Sequence, residues 1–87
     1  MRRADRIRAL LQAALQPESI DVLDDSAAHA GHGGFDPDGS HFRVRLVSGC
    51  FAGRSRVERH RLVYDALASM MHRDIHALVL DLRAPGE

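Results

Sequence analysis

Between Phe42 and Tyr64 the hydrophobic period of this chain changes from 2 to about 3.6, and that switch limits what the chain can become. Phe42, Val44 and Leu46 alternate with Arg43 and Arg45, which makes a strand with one apolar and one basic side. Gly49 and Gly53 then mark a tight turn. Ser55, with Glu58 three residues on, forms a capping-box signature. The serine hydroxyl faces the free amides of the first helical turn, and the glutamate reaches back to the serine N–H. Residues 40–64 therefore read as strand, turn and capped helix, and the rest of the chain has to cover them.

Upstream, Ala4, Ile7, Leu10, Leu11, Ala14 and Leu15 recur at three and four, which predicts a helix over Ala4–Leu15 with Arg3, Arg6 and Arg8 facing out. Pro17 ends it, because Gln16 is steered out of the helical region. Arg2 and Arg3 stand at the positive end of the helix dipole, which predicts a frayed start. Ser19–Asp24 reads as a short strand with Ile20 and Val22 on one face. From Asp25 to Gly39 no period is visible; five glycines and prolines between Gly31 and Gly39, with Asp36 and Asp38, make a long loop. Such loops in small domains are functional or disordered.

A second strand over His41–Val47 precedes a helical region over Ser55–His72, read as a short turn and a longer helix. There Val57, His60, Tyr64, Leu67 and Met71 are expected to line one stripe, and Glu58, Arg61 and Asp65 an opposed-charge ladder. A last strand, Ile75–Leu82, ends before Pro85. A helical crossover implies that the second and third strands run parallel, while a loop connection implies that the first two run antiparallel. The expected class is α+β: α-β-β-α-β, with the helices on one face of a three-stranded mixed sheet.

At 87 residues the chain is expected to form a single domain over 1–87, burying roughly 60–65% of its unfolded surface. Lys+Arg and Asp+Glu are both 12, so no general attraction to nucleic acid or anionic lipid exists. Every basic residue is an arginine, however, and Arg54, Arg56, Arg59 and Arg61 concentrate at one helix start. The single cysteine excludes an internal disulfide and an all-cysteine metal site built by this chain alone. The charged N-terminus and the lack of a long apolar run point away from a secretory leader, a membrane span or any membrane partner, and toward the cytoplasm.

Six histidines stand out. His29 and His32 form an H-x-x-H on the loop, and His76 lies near the start of the last strand. Neutral imidazoles ligate zinc, copper and iron, so two or three could converge; solvated loop histidines and an edge-packed His76 are the plain alternative. His41, His60 and His72 read as a strand-end residue, a core histidine bonded to a backbone carbonyl, and a helix C-terminal residue suited to the dipole. Cys50 reads as a small, partly buried side chain rather than a reactive thiol. No nucleophile elbow, partnered acid pair or phosphate-cradling glycine pattern is present, so no catalytic residues are assigned. Arg54, Arg56, Arg59 and Arg61 after a tight turn match the phosphate-contacting part of a helix-turn-helix, although Glu58 and Asp65 dilute the charge.

Ser40-His41-Phe42-Arg43-Val44, Val47-Ser48, Phe51-Ala52-Gly53-Arg54-Ser55, Arg59-His60-Arg61-Leu62-Val63-Tyr64 and His76-Ala77-Leu78 together resemble the BolA family. Asp24-Asp25-Ser26 with His29, and Leu15-Gln16-Pro17, fit it too, so the resemblance covers nearly the whole chain. It implies a single BolA-like domain with a fold akin to the class II KH domain. It further implies a non-enzymatic partner of monothiol glutaredoxins, together holding a bridging 2Fe-2S cluster in iron–sulfur and iron homeostasis. In that arrangement the glutaredoxin cysteine and glutathione supply thiolates, while this chain supplies His76 and a loop histidine, His29, with His32 as its substitute. No cofactor is expected on the isolated chain, a monomer or weak homodimer. Family members are also described as DNA-binding transcriptional regulators, a role that the Arg54–Arg61 surface would serve. The chain ends soon after Pro85, so a final short helix carrying the family's acidic-aromatic tail is expected to be lacking.

Overall fold

The computed structural model describes residues 2–25 and 41–87. The elements run α1 (Arg3–Leu15), β1 (Ser19–Asp24), β2 (His41–Val47), a 3-10 turn (Gly49–Phe51), α2 (Arg56–Ala66) and β3 (Ala77–Arg83). The fold is α+β, with the expected α-β-β-α-β order. In the sheet β2 is central, antiparallel to β1 and parallel to β3. His41 pairs with Ala77, Val44 with Val22 and Leu80, and Val47 with Ser19 and Arg83.

The alternation in β2 decides which face is covered. Phe42, Val44 and Leu46 are buried, while Arg43 and Arg45 are exposed on the opposite face. Ile7, Leu11 and Leu15 of α1 pack into the same core as Val63, Leu67, Met70, Phe51 and Ile75. Burial of each large apolar side chain stabilises by roughly 1.5–3 kcal/mol. The helix α1 ends where expected, but Gln16 ends it in the left-handed region at φ 45°, its N–H donating to Gln12 O at 3.1 Å. Ala14 is exposed. The start of α1 is not a loose end: Arg3 and Arg6 both reach Asp74, at 3.3 and 3.2 Å.

The second helix departs from its expected stripe and length. Val63, Leu67 and Met70 face the core, whereas Val57 is 59% exposed and Tyr64 is also exposed. The helix ends at Ala66, after which turn bonds such as Met70 N–H to Leu67 O at 2.8 Å take over. His72 therefore lies outside any helix, at φ 68°, so the dipole argument does not apply to it. Ile75 makes only an isolated bridge to Met71, which shortens β3 at its start.

Ser48 ties the far end of the sheet together. Fully buried, its hydroxyl donates to Leu15 O at 2.7 Å and accepts from Cys50 N–H at 3.1 Å. Its own N–H donates to Arg83 O at 3.0 Å. One residue thus joins the C-terminus of α1, the turn and β3. Gly53, at φ 72°, then reverses the chain into α2 at a cost any β-carbon would raise. The capping box forms as read: Ser55 Oγ accepts from Glu58 N–H at 3.2 Å, and Glu58 Oε1 accepts from Ser55 N–H at 2.9 Å.

Candidate functional site

Three strand ends meet at one edge. Since β1 runs antiparallel to β2 and β3 parallel to it, the end of β1 and the starts of β2 and β3 lie together. Asp25 N–H donates to His41 O at 2.8 Å, so the two points where the chain leaves and rejoins the sheet are pinned side by side. Arg43 reinforces this with an ion pair to Asp25 at 3.3 Å. His76 is exposed and sits one residue ahead of Ala77, the β3 partner of His41. It is thus level with the point where the 26–40 segment joins β2.

His29 and His32 lie outside the described residues. Among the described residues, no three His, Cys, Asp or Glu side chains converge as a metal site. Cys50 is exposed on the turn after β2, its Sγ 3.5 Å from Leu15 O. It stands at the other end of β2 from His41, about 20 Å away at ~3.3 Å per strand residue, and cannot join His76. His60 fulfils its expected bond, Nδ1 lying 2.8 Å from Arg56 O, but half-exposed rather than in the core.

The arginines gather at that opposite end. Arg54, Arg56, Arg59 and His60 of the α2 start face Leu80–Arg83 across a groove of about 600 Å³. They are not equivalent. Arg59 is engaged on every side: its Nε donates to Arg54 O at 3.0 Å, and Nη1 donates to Leu82 O at 3.3 Å. Its guanidinium grips both Glu87 oxygens at 2.6 and 2.7 Å and stacks 5.9 Å from the Phe51 ring centre. That fork, with the Ala84 N–H, lowers the Glu87 carboxyl to about 2, while Glu87 raises the Arg59 pKa. Bonds from Ser55 likewise hold Glu58 below the ordinary carboxylate range. Arg59 is therefore spent within the fold, whereas Arg54, Arg56 and Arg61 are exposed. Sequence reasoning missed both Ser48 and the Arg59–Glu87 fork; the only signal for Ser48 was a small polar residue directly after an alternating strand.

Residues 11–87 match the family model described as BolA-like protein. The chain is 46% identical over 85 residues to an uncharacterized protein in the cobS 5′ region of a Sinorhizobium species, covering 95% of this chain and 91% of that one. It is 41% identical to the chloroplastic protein BOLA1 of Arabidopsis thaliana, covering 98% of this chain but only 55% of that one, so it spans about half that relative's length. The solved structure of BolA1 from Arabidopsis thaliana superimposes with a TM-score of 0.87 at 38% identity, covering 100% of this chain and 96% of that one. Among the described residues no helix is long and apolar enough to cross a membrane.

Proposed function

The chain belongs to the BolA-like family, and from that premise we propose that it is a non-enzymatic, cytoplasmic partner of a monothiol glutaredoxin, sharing a bridging 2Fe-2S cluster. The observation that carries this reading is the exposed position of His76, beside the junction where the segment bearing His29 and His32 rejoins the sheet. The donor chemistry fits such a group. This chain has the His76 imidazole at that edge and its one cysteine far from it, so sulfur ligands have to come from a second molecule. His76 with His29, or His32 in its place, would hold the cluster, which supplies one-electron redox capacity and a transferable iron–sulfur unit when bound. Neutral imidazole carries no charge where a thiolate carries one, which raises the reduction potential, and it leaves the ligation open to protonation.

Titration with a glutathione-loaded, cluster-bearing monothiol glutaredoxin is expected to alter its visible absorption and circular dichroism. His76→Ala should abolish that change, and a mutant spectrum equal to wild type would discard the assignment. A second reading, a DNA-binding regulator, draws on the exposure of Arg54, Arg56 and Arg61. It predicts salt-dependent duplex binding that weakens, with a shallower salt slope, when any of these becomes Ala. Arg59, held by Glu87, contributes to that reading only if the fork opens.

A further inference from the structure

We propose that the outer edge of β3 in the described sheet accepts an extended acidic segment of a partner protein as an added strand, with its carboxylates on Arg54 and Arg56. This is a second surface, at the opposite end of β3 from His76 and independent of the cluster reading. The main chain sets up the edge. Ser48 N–H donates to Arg83 O on the β2 side. Main-chain groups alternate along a strand, so Asp81 and Val79 also turn theirs toward β2, while Leu78, Leu80 and Leu82 turn theirs outward. The Leu82 carbonyl already accepts from Arg59 Nη1 at 3.3 Å, so the groups left for a further strand are those of Leu78 and Leu80 and the Leu82 N–H. In the described sheet β3 is an outer strand, and an outward row of N–H and C=O groups is what a further strand pairs with.

The side chains define what kind of strand. Val44 and Leu46 on β2 are 0% and 1% exposed, whereas their β3 partners Leu80 and Leu82 are only half-buried. Leu80 and Leu82 line the groove opposite Arg54, Arg56 and Arg59, which gives it an apolar floor and an arginine rim. Within that rim Arg59 is committed to Glu87, and Asp81 is shared by Arg45 and Arg83. Arg54 Nε donates to Cys50 O at 2.9 Å, but among the described residues neither Arg54 nor Arg56 pairs with a carboxylate, so their charge remains for a ligand. Glu87 shows the ligand class this end of the groove takes, a carboxylate bound by a guanidinium fork and by the Ala84 N–H at 3.0 Å. A chain alternating acidic and apolar residues satisfies edge, floor and rim together; a sugar–phosphate backbone would use the rim alone.

The probe is a soluble peptide of alternating glutamate and valine, with a lysine–valine peptide as control, titrated into isotope-labelled full chain. Amide shifts are expected at Leu80 and Leu82 and not at Val22, on the other outer strand. Arg54→Glu/Arg56→Glu, both at exposed positions, should weaken binding about tenfold or more while leaving the core resonances of Val44 and Leu67 in place. Equal binding of the lysine peptide, shifts away from β3, or an unchanged affinity in the double variant would overturn the proposal. So would an oligonucleotide that binds through Arg54 and Arg56 where the acidic peptide does not.

Discussion

Ser48→Ala tests the turn that sets α2 and the groove in place. The hydroxyl makes two hydrogen bonds from a fully buried position, to Leu15 O and from Cys50 N–H. Leu15 closes α1, so its carbonyl is one of those that no helical amide reaches, and Ser48 supplies the missing donor. Each bond is worth about 0.5–1.5 kcal/mol net, and a buried group left unmatched costs about 1–3 kcal/mol. The Cys50 thiol, 3.5 Å from the same carbonyl, offers a weaker replacement donor and keeps the loss toward the lower end. The expected destabilisation is about 2 kcal/mol, or roughly 8–16 °C in melting temperature for a domain of this size. Urea unfolding with an unchanged slope measures it. Adding Cys50→Ala removes the substitute donor, so the double variant should lose more than the two single losses combined. A Ser48→Ala loss under about 0.5 kcal/mol, with strictly additive double-variant behaviour, would refute the reasoning.

Leu67→Ala is expected to cost about 2–5 kcal/mol and Val57→Ala less than about 0.5 kcal/mol, a contrast in urea midpoints that the reverse order would contradict. Glu87, lowered from 4.5 to about 2 in the folded chain, contributes stability that is complete above its ordinary value and drains away as pH falls toward 2. Urea midpoints between pH 5 and 2.5 should therefore fall further in the wild type than in Glu87→Gln; parallel curves would show that the fork adds nothing.

Local chemistry wrote itself plainly into the sequence, and long-range side-chain pairing did not. The β2 alternation, the Ser55–Glu58 box and the stop at Pro17 depend on neighbours within a few residues, and all three formed where read. The parallel and antiparallel pairings followed from connection length. The face of α2 was misread because Arg59 occupies an inward position: a charged residue that stacks on Phe51 and pairs with Glu87 looks solvent-facing in any periodicity. Its early end at Ala66 was invisible because no glycine or proline lies between Ala66 and Ile75. The Arg3 and Arg6 pairs to Asp74 cross most of the chain and leave no local trace. At the candidate site, the start of β2 was legible and that of β3 to within two residues, and with them His76 at the sheet edge. His29 and His32 fall outside the described residues, so their approach to that edge rests on the resemblance.

Pulsed electron paramagnetic resonance of the reduced complex, with nitrogen-15 histidine in this chain and an unlabelled cluster-bearing glutaredoxin, tests the ligand assignment most directly. Two histidine nitrogens coupled to the cluster are expected, one of them missing in His76→Ala. A spectrum without histidine coupling, or one that His76→Ala leaves unchanged, would contradict it.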